Sequence, residues 1–335
     1  MSAGAGFAGA GAGTSPTSAA EIVFNRVTKR YVGRDAAAVK DLSLTIPAGE
    51  ICVLVGPSGA GKTTAMKMVN RLIEFDEGDI RIDGTSVRDH DATELRRGIG
   101  YVIQQVGLFP HMTIAENVGT VPRLLGWPRA RIKERTAELL ELVGLEPGDG
   151  RRYPSQLSGG QRQRVGLARA LGADPPLMLM DEPFGALDPI TRDRLQLEFL
   201  RLHNEVRKTV IFVTHDIDEA IKLGDRIAIL REGGVLAQYD TPDRILAHPA
   251  DDFVARFVGA DRGLKRLALR RLEQIELEPL TGAAPGPTAP ATTTLRDALS
   301  LMMSEGADPL VVTDADGNPV GQISVARVGR LLAEL

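Results

Sequence analysis

Nine consecutive residues, Gly56-Pro57-Ser58-Gly59-Ala60-Gly61-Lys62-Thr63-Thr64, have the types and spacing needed to hold a chain of phosphates. Successive backbone N–H groups at the start of a helix form a cradle for anions. Glycines at 56, 59 and 61 let the backbone curl around the phosphates without Cβ clashes. Lys62 can then reach the β and γ phosphates, and Thr63 can offer its hydroxyl to Mg²⁺. Such a loop works only between a strand and a helix. The apolar run Ile51-Cys52-Val53-Leu54-Val55 precedes it and Ala65-Met66-Lys67-Met68-Val69 follows, which predicts that context.

Three further stretches carry chemistry. Leu177-Met178-Leu179-Met180 ends in Asp181-Glu182-Pro183, so an apolar strand delivers two carboxylates to the edge where open α/β sheets bind ligands. Asp181 can hold Mg²⁺ through its water shell, and Glu182 can act as general base towards a water in line with the γ phosphate. Thr209-Val210-Ile211-Phe212-Val213-Thr214-His215 repeats the pattern and places His215 at the same edge. Leu157-Ser158-Gly159-Gly160-Gln161 reads as a helix start with a capping serine and two small residues that bare backbone N–H groups, an end that attracts an anion. Tyr31 stands between the first two β-patterned runs, where it could stack an adenine ring or pack in the core.

The elements that position these residues follow from apolar periodicity. Residues 21–84 alternate short β-patterned runs with turns, 99–103 is a strand that ends at Gln104, and 113–172 reads as helical, with a stop at Gly144. Arg226-Ile227-Ala228-Ile229-Leu230 and Val235-Leu236-Ala237-Gln238-Tyr239 flank Gly233-Gly234 as a hairpin, and a helix through Phe253 and Phe257 closes the domain near Gly259. Residues 1–20 are Ala, Gly, Ser and Thr with little else, a composition that predicts a disordered tail and not an export signal. The 335 residues suffice for one large domain and a smaller one. Lys plus Arg total 40 against 44 Asp plus Glu, a net charge of -4, so no basic surplus points to nucleic acid. The single cysteine, Cys52, excludes an intrachain disulfide and fits a reducing compartment. No apolar run approaches the roughly 20 residues of a membrane span.

Together these motifs resemble the ATP-binding cassette (ABC) subunits of transporters, over residues 21–259. The resemblance implies an α/β fold: a P-loop NTPase cassette with a mixed sheet core, an antiparallel β subdomain and a helical subdomain at about 105–172. It makes Gly56 to Thr64 the P-loop, Gln104 the Q-loop glutamine and a Mg²⁺ ligand beside Thr63 and Asp181, and Ser158, Gly159, Gly160 and Gln161 the signature. It further makes Glu182 the catalytic base, Asp188 the D-loop residue, His215 the switch histidine and Tyr31 the adenine platform. Gly185 departs from the serine common in the D-loop. In this family each site joins the P-loop of one chain to the signature of another. The resemblance therefore implies a homodimer that hydrolyses ATP with Mg²⁺ on the cytoplasmic face of the inner membrane, bound to permease subunits and served by an extracytoplasmic solute-binding protein.

A narrower resemblance, to the ATPase subunits of quaternary-amine importers for glycine betaine, carnitine or choline, rests on Ile103-Gln104-Gln105-Val106-Gly107-Leu108-Phe109-Pro110-His111 and on residues 258–267. An importer of another small solute, such as a polar amino acid, or a soluble ABC ATPase are the alternatives. Residues 260–294 read as a connecting segment with a Pro, Ala, Gly and Thr linker from 279. Residues 295–335 pattern as helix, strand, turn, strand, helix and resemble one cystathionine-β-synthase (CBS) module, a small α+β unit. Arg327 stands where adenosine-binding copies have Asp, which leaves open whether the module binds a ligand or only dimerises.

Overall fold

The computed structural model describes residues 18–33, 36–103, 107–185, 187–280 and 286–334, and the chain divides into two compact units between Tyr239 and Asp240. In the first unit, β1 (Ile22–Lys29) and β2 (Val39–Ile46) alternate buried and exposed residues, as strands covered on one face do. Next, β3 (Ile51–Val55) is buried at every residue, so it lies covered on both faces. It leads into α1 (Lys62–Val69), then β4 (Glu77–Ile82), β5 (Thr85–Ser86), α2 (Ala92–Arg97) and β6 (Ile99–Val102). The stretch 114–171 is helical in four segments, α3 (Ile114–Val118), α4 (Thr120–Leu124), α5 (Arg129–Leu142) and α6 (Gly159–Leu171), and Gly144, at φ +65°, follows the end of α5. The unit continues with β7 (Leu177–Asp181), α7 (Pro189–Val206), β8 (Thr209–Val213), α8 (Ile217–Leu223), β9 (Arg226–Arg231) and β10 (Val235–Asp240).

Two sheets result. The antiparallel one has the order β2-β1-β4-β5, and the other, with six strands, has the order β10-β9-β3-β8-β7-β6. From β9 to β6 every pairing in the second sheet is parallel. One core runs between the sheets, built from Phe24, Leu44, Leu54, Met66, Ile80, Leu179 and Ile211 among others. Each fully buried side chain of this size contributes about 1.5–3 kcal/mol. The consequence for function is topological. The neighbours β3, β8 and β7 run parallel, so the segments that follow them emerge at one edge, and those segments begin with Gly56, Thr214 and Glu182. The described end of the N-terminal stretch is packed: Ala20 is fully buried and its carbonyl accepts from Thr209 Oγ1 at 2.6 Å, so the tail expected over 1–20 is structured from there on, and residues 1–17 lie outside the described residues.

One buried amide organises the segment that follows Gln104. Asn117, on α3, is fully buried; its Nδ2 donates to the carbonyls of Phe109, Met112 and Thr113 at 3.2, 3.2 and 3.0 Å, and its Oδ1 accepts from Phe109 N at 2.8 Å. Asn117→Ala strips these partners from buried backbone groups, a loss of about 1–3 kcal/mol. The melting temperature should fall on the order of 5 °C by differential scanning calorimetry, and an unchanged value would contradict the clamp.

The second unit contains α9 (Pro242–Ala247), α10 (Asp252–Val258), α11 (Arg262–Ala268), β11 (Thr288–Pro290), α12 (Leu295–Glu305), β12 (Leu310–Thr313), β13 (Pro319–Ile323) and α13 (Val325–Glu334). The helix expected to close the cassette near Gly259, α10, falls in this unit. The stretch expected as a linker is folded in part, since β11 pairs in parallel with β12. Pro290 is tolerated because β11 is an edge strand, where a missing N–H leaves no ladder bond unmade. Leu267 and Leu272 join Leu295, Leu310 and Ile323 in a core separate from that of the first unit. Among the described residues no helix is long and apolar enough to cross a membrane.

Candidate active site

The loop after β3 keeps its shape because two of its glycines have no room for a side chain. A Cβ on Gly56 would lie 2.1 Å from the Leu230 carbonyl oxygen, and one on Gly61, at φ +78°, would lie 2.1 Å from that of Ala38. The helix that starts at Lys62 therefore aims its first N–H groups at the loop's interior. The Lys62 side chain folds back over that interior and donates from Nζ to the carbonyls of Gly56 at 2.8 Å and Pro57 at 2.9 Å. Burial pushes its ammonium below the usual lysine range, while the Glu182 and Asp181 carboxylates oppose the shift. Beside it, Thr63 Oγ1 donates to Asp181 Oδ1 at 2.9 Å.

At the end of β7 the chain turns sharply. Glu182 has φ +45°, a left-handed conformation unusual for glutamate, and its N–H donates to the Val213 carbonyl at 2.9 Å, which holds it there. A backbone of this kind costs about 1–3 kcal/mol and persists where surrounding bonds over-determine it. The turn aims the carboxylate at the neighbouring strand end: Glu182 Oε1 lies 3.2 Å from His215 Nδ1.

These groups share one cleft of about 750 Å³, within the range of small-molecule sites. Its lining includes Tyr31, the loop from Ser58 to Thr64, Glu182 and His215. Tyr31 stands at the cleft and not in the core: it is 37% exposed, and its hydroxyl is 3.5 Å from Thr64 Oγ1. Ala36, Ala37, Ala38, Glu232 and Gly233 also line the cleft and were not legible as site residues. The small-residue run between the first two strands and the Gly-Gly turn were their only signals, and neither says which cleft they face.

The remaining candidates lie elsewhere. Ser158, Gly159, Gly160 and Gln161 are absent from the cleft's lining. They form the capped start of α6, with Ser158 Oγ accepting from Gln161 N at 3.2 Å and Gln161 Oε1 accepting from Ser158 N at 2.9 Å. Asp188 likewise stands apart, capping α7 by accepting from Thr191 N at 3.0 Å, a bond that holds its carboxyl below the usual range. Gln104 lies outside the described residues. One chain thus brings together a phosphate loop, two carboxylates and a histidine, and leaves the second anion-seeking helix start outside their cleft.

The sequence profile of the ABC transporter family matches residues 39–185. The osmoprotectant import ATP-binding protein OsmV of Salmonella typhimurium is 50% identical over 304 residues, 90% of this chain and 78% of the relative. The chain belongs to the ABC transporter ATP-binding family. Within that family, the choline transport ATP-binding protein OpuBA of Bacillus subtilis is 51% identical over 307 residues, 91% of this chain and 78% of the relative. A solved post-hydrolysis dimer of the ATP-binding cassette MJ0796, bound to ADP and Pi, covers 66% of this chain and 98% of its own at 37% identity and a TM-score of 0.58. The chain is accordingly an ABC ATPase: it binds ATP, and hydrolysis is coupled to transport.

Proposed function

We propose that this chain powers the import of a quaternary-amine osmoprotectant, of the glycine betaine, carnitine and choline class, through a membrane permease. The observation that carries this reading is identity of about half over nine-tenths of the chain to ATPases named for osmoprotectant and choline transport. In the cleft, the P-loop backbone from Gly56 to Thr64 binds the phosphates of ATP, Lys62 turns from its carbonyl partners to the β and γ phosphates, and Tyr31 stacks the adenine. Thr63 and Asp181 are hard oxygen donors 2.9 Å apart, a set suited to Mg²⁺, which takes one or two protein ligands beside phosphates and water; Gln104 completes it. Mg²⁺ held by these residues would supply positive charge against the charge that develops on the phosphates. Glu182 takes a proton from the attacking water, and His215 holds its carboxylate by the Nδ1 contact.

The helix start at Ser158, Gly159, Gly160 and Gln161 closes this site from a second copy, with Asp188 at the same seam. The dimeric arrangement of the MJ0796 cassette supports this. Two copies then carry two composite sites. The permease couples to the cassette through the Gln104 segment and the helical subdomain. The assembly sits on the cytoplasmic face of the membrane and receives solute from an extracytoplasmic binding protein. The end of the chain, 295–335, is a CBS-like module that pairs with its counterpart in the other copy.

Uptake of labelled glycine betaine, carnitine and choline by cells in high-salt medium tests the reading, with the intact gene compared with a Glu182→Gln version. Loss of uptake of at least one of these solutes in the variant is expected. Undiminished uptake of all three sinks the solute assignment and leaves the ATPase chemistry standing.

A further inference from the structure

Two segments of the proposed mechanism, the turn from Gly185 to Asp188 and the loop carrying His215, run directly into α7 and α8. Between those helices lies a carboxylate that no role above uses. Glu219, in the first turn of α8, is only 9% exposed. Its Oε1 accepts from Gln196 Nε2 of α7 at 2.9 Å, and the Thr214 hydroxyl favours its charged form. That hydroxyl accepts from Asp216 N at 3.1 Å, so the residues on both sides of His215 are tied to each other. Asp216 Oδ1 closes the loop by accepting the N–H groups of Asp218 and Glu219 at 2.9 and 3.2 Å. On the α7 side, the Arg192 guanidinium acts electrostatically on Glu219 and donates to the Leu187 carbonyl at 3.1 Å, one residue before Asp188.

The residue type matters to this arrangement. The site presents two donors, an amide and a hydroxyl, and a cation; a carboxylate offers acceptors to all three, whereas the amide of glutamine has one acceptor oxygen and brings two unwanted donors. Gln196 and Thr214 are 3% and 2% exposed, so water cannot replace a lost partner. Burial raises the Glu219 carboxyl, and the Thr214 and Gln196 bonds work against that shift in favour of the charged form. Leaving a carboxylate in so dry a place is costly, and a neutral pair would join the helices with less desolvation.

We propose that Glu219 is a positioning residue for ATP hydrolysis, which locks the His215 loop to the helix that follows the Asp188 turn and so holds His215 against Glu182. The inference rests on the reading of His215 and Glu182 as hydrolytic residues. The test measures steady-state turnover, nucleotide binding and thermal unfolding of the full-length chain carrying Glu219→Gln, Glu219→Asp, His215→Ala, or His215→Ala together with Glu219→Gln. Glu219→Gln should lower kcat about 10- to 100-fold with the KM for ATP unchanged, and Glu219→Asp should restore most of the loss. In the His215→Ala background, where residual turnover is followed with radiolabelled ATP, Glu219→Gln should have no further effect.

An equal fold-loss in both backgrounds would overturn the proposal, because Glu219 would then act independently of His215. A lowered melting temperature with unchanged kcat would overturn it too, leaving a purely structural role. Full turnover in His215→Ala would instead bring down the underlying reading, and the proposal with it. If Glu219→Gln fails to fold, Gln196→Met breaks the same tie from α7 and should lower kcat in the same direction; unchanged kcat there overturns the proposal.

Discussion

Glu182→Gln should reduce ATP turnover by about 10²–10⁴-fold while leaving ATP affinity within about threefold of the parent, the signature of a lost general base. The substitution is isosteric and leaves intact the bond from the Glu182 N–H to the Val213 carbonyl, so the φ +45° turn survives. What disappears is the acceptor for the water's proton, 3.2 Å from His215 Nδ1. Binding residues on the P-loop are untouched, so nucleotide still enters. With hydrolysis blocked, ATP should hold two copies together, and light scattering should report twice the monomer mass with ATP and less without it. Turnover close to the parent's would remove Glu182 from the mechanism.

Lys62→Ala should weaken ATP binding by about a hundredfold or more, since charge-assisted hydrogen bonds to phosphate are worth roughly 1.5–3 kcal/mol each. Here the lysine has a second role, because its Nζ satisfies the Gly56 and Pro57 carbonyls at 2.8 and 2.9 Å. Those bonds hold the ammonium in a buried place that lowers its pKa, so it lies desolvated beside the cleft. Fluorescent nucleotide titration measures the loss, and circular dichroism confirms that the loop's host domain remains folded. An affinity within about threefold of the parent would contradict the P-loop reading.

The parts of the fold that follow from local pattern were legible. Runs such as Ile51-Cys52-Val53-Leu54-Val55 read as strands by themselves, and the glycine loop and the capped start at Ser158 carry their geometry in their composition. What depends on distant partners was not. Nothing near Ala20 announces that its carbonyl receives the Thr209 hydroxyl, and nothing in Thr288-Ala289-Pro290 says that an edge position beside Val311, Val312 and Thr313 makes a strand of it. Asn117 and Glu219 read as ordinary helix residues, and only burial among backbone and side-chain partners gives them roles. For the site, the ends of three strands could be read one at a time; that β8 lies between β3 and β7, and so brings His215 to Glu182, is a fact of sheet order alone.

In the proposed mechanism the site is completed by a second copy of the chain. Ser58→Cys in the P-loop and Ser158→Cys at the start of α6, combined in a Glu182→Gln chain, put thiols at the two halves of that site; the natural Cys52 is buried and will not compete. Mild oxidation with and without ATP, read on a non-reducing gel, should give a disulfide-linked dimer only when ATP is present and both cysteines are in place. A disulfide within one chain, or no ATP-dependent dimer at all, would show that the signature helix does not close the site from a second copy.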